Sequence, residues 1–366
     1  MWTPSPRSSR RARAEVDEMT VATQASDSTQ DRPGLSPPQR LAVRPEIGAA
    51  LGALLVFVFF SLVTDRFLSP LGVATWLDDA STLGIMAVAV AMLMIGGEFD
   101  LSAGVMTAST ALVTALLAVH AGWNVWLALL ASLVFALAVG AFNGWVVMRT
   151  GLPSFIVTLG TFLALQGLNL GVTRLVTDTV QVSGVRSAGG YQSAGWVFAS
   201  TLDIGEAHIQ ASVVWWIVLT AIAATLLVRT KFGNWIFAVG GALPSARAVG
   251  VPADRTKILL FMGTAFAGWV VGSCNILRFA SVQANQGIGL ELHYIIAAVV
   301  GGCLLTGGFG SAVGAAIGAL IFGMARQGIV FARWDSDWFM LFLGVLLLAA
   351  VLVNNRFQKR AERVRR

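Results

Sequence analysis

The sequence predicts an all-α integral membrane protein of about ten transmembrane helices, some broken or re-entrant, with both termini cytoplasmic. Three observations carry this. Hydrophobic residues make up 56% and charged residues 12% of the 366 positions, with a mean hydropathy of +0.75, outside the range of ordinary soluble domains. The apolar residues gather into ten segments, most of them long enough for a hydrocarbon core about 30 Å thick. Lys and Arg fall on alternate connections between those segments, the pattern of short cytoplasmic loops.

In chain order, residues 1–45 are rich in Ser, Pro, Arg and acids without apolar periodicity, and read as a disordered cytoplasmic tail. The pair Arg10 and Arg11 is similar to a twin-arginine signal, but no apolar stretch follows before Ile47, and Met19 would serve equally as a start. A transmembrane domain then occupies 46–356, with spans expected over 47–64, 80–97, 101–119, 123–148, 152–171, 211–228, 258–277, 292–306, 311–330 and 338–354. The second and third spans are barely separated, as are the eighth and ninth, so a re-entrant segment in either pair would lower the count to eight or nine. Residues 357–366 form a basic cytoplasmic tail.

With both termini inside, the inner loops hold Arg149, then Arg229, Lys231, Arg247, Arg255 and Lys257, and finally the tail. The opposite side holds Asp65, Asp78, Asp79, Asp178, Asp203, Glu206, Asp335 and Asp337. The net charge of +6 is thus a topology signal, and nucleic acid is not an expected partner. Cys274 and Cys303 sit in apolar surroundings without metal-ligand spacing and read as small core residues, with no metal site.

Two stretches interrupt the apolar pattern in an informative way. In "GGEFDLSAG", Gly96 and Gly97 permit a tight turn or helix break, and Asp100, with Ser102, is placed to cap the helix that follows. Glu98 has no such role, and a carboxylate at membrane depth costs a few kcal/mol unless it reaches water or a partner. In "VVGGCLLTGGFGSAVGAAIGALIFG", Gly307, Gly308 and Gly310 mark a second turn, and Gly310, Gly314 and Gly318 recur every four residues, a spacing that lets helices approach closely. Both stretches break a span at paired glycines, which admits a distant internal duplication.

The inner loop over 229–257 contains "PSARAV" between two glycines. Pro244 at a first helical position and Gly250 past the end predict a helix of one to two turns outside the bilayer, with Ser245, Ala246 and Arg247 on it. So short a helix must be held by packing, and it makes a natural docking surface for a cytoplasmic partner.

The chain from about residue 47 to 355 resembles the membrane permease subunit of ATP-binding-cassette importers for ribose, xylose and similar simple sugars. The resemblance rests on "GGEFDLSAG", "NGWVVMRTGLPSFIVTLGTFLALQGL", "AVGG" followed by "SARAVGV", and "ELHYIIAAVVGGCLLTGGFGS", in that order. It implies a permease that pairs with a second permease chain, identical or not, around a central pathway in the bacterial cytoplasmic membrane. It also implies an extracytoplasmic sugar-binding protein as partner, and an ABC ATPase subunit docked near residues 242–251. The chain departs from the family pattern at Ala242, Leu243, Pro244, Phe309 and His293. It contains no G-x-x-x-x-G-K-[ST] loop, so ATP is expected on the partner subunit, and no cofactor on this one.

Polar residues within spans are costly against lipid and are the candidates for the pathway. They are Asn143, Thr158, Thr161, Gln166, Asn169, Asn275, Arg326 and Gln327, with back-bonding to the helix as the alternative role of the threonines and snorkelling outward that of Arg326. An ion-coupled secondary transporter is the competing class; it ordinarily needs ionisable groups near the midplane, where these segments are nearly bare.

Overall fold

The computed structural model describes the backbone of residues 45–365 and the side chains of residues 46–352. Apart from Pro45, the expected N-terminal tail lies outside the described residues. Thirteen α-helices carry the described chain: α1 Pro45–Val63, α2 Pro70–Ile95, α3 Ala103–Val119, α4 Val125–Thr150, α5 Ser154–Thr177, α6 Tyr191–Phe198, α7 Ala211–Arg229, α8 Lys231–Gly241, α9 Leu243–Ala248, α10 Ala253–Phe279, α11 Leu290–Val300, α12 Ala312–Phe331 and α13 Trp338–Arg365. Four short strands, β1 Gln181–Ser183, β2 Thr201–Ile204, β3 Ala207–Gln210 and β4 Ser281–Gln283, form two small antiparallel ladders, β1 with β4 and β2 with β3.

All ten expected spans are helices. Seven of them are long and apolar enough to cross a membrane, and α3, α11 and the first part of α13 are shorter apolar helices. The eighth span departs most from expectation: α11 has 11 residues, about 16 Å of rise, and ends at Val300 rather than 306. It is a half-span, as the re-entrant alternative for that pair allows.

The second span departs at its other end. It begins at Pro70, ten residues before the expected 80, because Ser69 caps it by accepting the Gly72 N–H at 3.0 Å and Pro70 sets the first turn. Asp78 and Asp79, read from the sequence as outer-loop acids, therefore lie inside α2.

The two paired-glycine breaks close their helices in the same way. At the end of α2, Gly96 N–H bonds to Met92, Gly97 N–H to Met94 and Glu98 N–H to Leu93; at the end of α11, Gly301 N–H bonds to Ala297, Gly302 N–H to Val299 and Cys303 N–H to Ala298. Gly97 and Gly302 hold φ of 82° and 95°, a left-handed conformation that needs glycine at a helix C-terminus.

Helices α2, α10 and α12 form the buried centre. α2 packs on α12, α7, α10 and α11, and α10 packs on α4 and α3, whereas α1, α4, α5 and α7 keep broad apolar faces exposed. Small residues set the close contacts: a side chain on Gly314 or Gly318 would fall 2.0 Å from the carbonyl of Gly301 or Ala297, so this part of the four-residue glycine ladder seats α12 on α11. Cys274 and Cys303 are free and buried in this core.

Candidate functional site

Three interrupted chain segments meet at the end of the domain that the charge pattern places inside. The turn after α2, the end of α8 and the turn between α11 and α12 touch largely through backbone. Gly308 N–H donates to the Ile95 carbonyl at 2.8 Å; a Cβ on Gly240 would lie 1.8 Å from that same carbonyl, and one on Gly307 would lie 2.8 Å from Gly97 Cα. Gly310 packs its Cα side against Cys303 and Ile95. The glycines singled out in two distant parts of the sequence are thus brought together, and Gly240 joins them.

From this junction the chain runs directly into α9. Ala246 is the buried residue of α9, packed with Val239 of α8 and Ala253 of α10, while Pro244, Ser245, Arg247 and Ala248 are exposed. Gly250 closes the turn at φ 81°, and Arg247 Nη2 pairs with Asp254 Oδ1 at 2.7 Å across the surface. Ala242 occupies the N-cap position of α9 without a side-chain bond.

Next to the junction, Glu98 forms an ion pair with Lys257 of α10, both side chains buried. The pair resolves the sequence puzzle of Glu98: its partner is a cation that the sequence reading assigned only to a loop.

Asp100 meets α10 seven residues further along the helix than Glu98 does, at Thr264 rather than Lys257. Its Oδ1 accepts from Ser102 N–H at 2.8 Å and Ser102 Oγ at 2.5 Å, and its Oδ2 accepts from Thr264 Oγ1 of α10 at 3.0 Å. The N-cap of α3 is Ser102; Asp100 stands two residues ahead of it and ties the approach to the helix onto α10. The backbone N–H it accepts is the expected capping bond, and its bond to Thr264 adds a brace between the turn and α10.

Several expected pathway residues complete this brace. Asn143 is fully buried; its Nδ2 donates to Ser102 Oγ at 3.0 Å and its Oδ1 accepts from Thr161 Oγ1 at 2.6 Å. Thr158 Oγ1 accepts the Leu101 N–H at 3.1 Å and donates to the Ser154 carbonyl at 2.8 Å, while Ser154 Oγ accepts the Phe99 N–H at 3.0 Å. α4 and α5 thus grip the turn after α2.

The others are dispersed. Gln166 is half-buried, and Asn169 is buried with its Nδ2 unpartnered. Asn275 borders a small crevice with Thr107, Ser281 and Gln286. Gln327 bonds to Asp79, and Arg326 Nε lies 3.9 Å from the same carboxylate with 61% of its side chain exposed. The adjacent polar pair on α12 therefore shares an acidic partner on α2. Asp78 is held from the other side, by Arg278 of α10 at 2.7 Å and Ser212 of α7 at 3.3 Å. Neither aspartate was singled out from the sequence as a site; the signal was the adjacent acid pair so close to an apolar run.

Removing the acceptor atoms of Asp100 leaves buried donors unpaired. Asp100→Leu is expected to destabilise the detergent-solubilised protein by about 1–3 kcal/mol, and Asp100→Asn, which keeps an acceptor for Ser102, by less than about 1 kcal/mol. Thermal unfolding of the two variants checks this; equal losses would show that the charge itself is required.

A multi-pass helical domain with broken spans, a close glycine junction and a packed surface helix at its inner end fits a membrane permease. The chain belongs to the family described as branched-chain amino acid transport system / permease component, whose profile matches residues 72–351. It is 30% identical over 359 residues to the xylose transport system permease protein XylH of Escherichia coli (strain K12), covering 84% of this chain and 90% of that protein. It is 32% identical over 314 residues to the ribose import permease protein RbsC of the same organism, covering 84% and 94%. It is 29% identical over 314 residues to the autoinducer 2 import system permease protein LsrC of Salmonella typhi, covering 86% of each. No solved structure matches the chain. The chain is a multi-pass permease component of the cytoplasmic membrane.

Proposed function

We propose that this chain is the conducting subunit of a binding-protein-dependent importer, moving a monosaccharide or related small polar solute with ATP hydrolysed on a separate subunit. The observation that carries the reading is α9. A helix of six residues is not stable by itself, yet this one is clamped through Ala246 beside the junction of three chain breaks and presents Arg247 outward. A partner bound there bears directly on the turns that end α2 and α11, so its ATP-dependent states can bias two permease states by differential affinity. The solutes named for the relatives, xylose and ribose among them, support a hydroxylated substrate class. Gln166, Asn275 and Arg326 remain pathway residues in this proposal, whereas Asn143, Thr158 and Thr161 hold the gate turn. A second permease chain and an extracytoplasmic binding protein complete the assembly.

Co-purification tests the docking role. Arg247→Glu combined with Gly250→Ala should leave membrane insertion unchanged and lower recovery of the ATPase subunit about tenfold, the loss of roughly 1.4 kcal/mol of interface energy. Unchanged recovery and uptake would remove ATPase docking from this loop.

A further inference from the structure

Helix α10 measures depth across the domain. Its 27 residues rise about 40 Å, and its Gly268 and Gly272 lie against Met106, Thr107 and Thr110 of α3. That part of α3 is therefore level with points about 10–16 Å below the outer end of α10. After Ala280 turns the chain at φ 55°, residues 281–289 do not continue outward. Val282 pairs with Val182 of β1, and Gly287 then rests against Gly104 and Thr107 of α3, so closely that a Cβ would fall 2.4 Å from the Gly104 carbonyl. The segment dips to this depth before α11 starts at Leu290 and continues inward.

Hydrocarbon leaves non-helical backbone groups unsatisfied, so such a segment at this depth must be enclosed by protein or border water. Its side chains divide accordingly. Val282 and Ala284 are buried in the domain, Gln283 and Asn285 are exposed, and Gln286 is half-buried in the crevice beside Thr107 and Asn275. Each amide offers two donors and a carbonyl acceptor without a charge, which suits a neighbour whose groups both donate and accept.

We propose that the dipping segment, through Gln283, Asn285 and Gln286 together with Asn275, is a stretch of the translocation pathway that contacts the hydroxyl groups of a neutral polyhydroxylated solute. The inference rests on the importer reading above. Uncharged amides on an exposed loop hold a sugar by several weak, exchangeable hydrogen bonds and let it leave, as a conduit requires.

The test uses the full complex of permease, ATPase and binding protein in proteoliposomes. Asn285→Cys is compared with Leu168→Cys on the exposed apolar face of α5; the native cysteines are buried and add little background. A membrane-impermeant methanethiosulfonate should label the Asn285→Cys variant at least tenfold faster than the α5 control, and transported sugar should slow that labelling. Gln283→Ala with Asn285→Ala should lower uptake about tenfold or more, the loss of two or more hydrogen bonds in transit, with ATPase co-purification unchanged. Labelling at the rate of the α5 control with normal uptake in the alanine variant would overturn the proposal. So would a spontaneous disulfide joining two permease copies of the Asn285→Cys variant with uptake intact, which would make the segment an interface. Loss of ATP-dependent uptake by the unmodified complex would instead bring down the importer reading, and this inference with it.

Discussion

Replacing Lys257 with Met should destabilise the solubilised protein by about 3–5 kcal/mol, the cost of leaving a buried charge without its partner. Glu98 and Lys257 are both buried and pair with each other across the α2 turn and the inner end of α10. Truncating the cation strands the Glu98 carboxylate in a site built to exclude water. Replacing both residues with Met removes the charges together, and an apolar pair of similar volume is often neutral or better, so the double variant should regain most of the loss. Thermal unfolding with a lipophilic dye separates the two outcomes. A double variant as unstable as the single one would mean that the pair sets the shape of the turn rather than neutralising a charge.

Gly240→Ala should be nearly as damaging, by about 3 kcal/mol or more, above the usual cost of one extra methyl. The added carbon would sit 1.8 Å from the Ile95 carbonyl and 2.8 Å from Gly308 N, the two groups that bond to each other at 2.8 Å. Both are backbone, so neither can swing aside as a side chain would. The neighbouring Gly241→Ala is the control, since its nearest atom would be 4.0 Å away. Yield of monodisperse protein and uptake should fall for the first and hold for the second. Equal tolerance of both would show that the three chain breaks are free to part, and that the junction does not transmit docking to the gate.

The features legible in the sequence were those written into local pattern. Apolar length marked each membrane helix, paired glycines marked both breaks, and Pro244 with Gly250 marked α9. Long-range pairing hid the rest. Asp78 and Asp79 look like loop residues because hydropathy charges them their full cost, and nothing nearby shows that Arg278 and Gln327, some 200 and 248 positions away, satisfy them. Asn143 and Thr161 look like pathway residues for the same reason: an amide inside a span suggests a solute until Ser102 is found to be its partner. Residues 281–289 lie between two expected spans and carry no sign of their depth, because polarity reports contact with something polar and not depth. Helix α8 was missed because, at 11 residues, it lacks the length of a span.

On the proposed function, this permease conducts its solute only when an ATPase engages its inner face. The direct measurement is uptake of radiolabelled pentoses, hexoses and polyols into proteoliposomes containing the permease, with the ATPase subunit and binding protein added in turn. At least one of these solutes should accumulate in a manner that needs all three proteins and hydrolysable ATP, and that is indifferent to a protonophore. Accumulation by the permease alone, driven by an imposed ion gradient and abolished by the protonophore, would contradict the proposed function and place the chain among ion-coupled transporters.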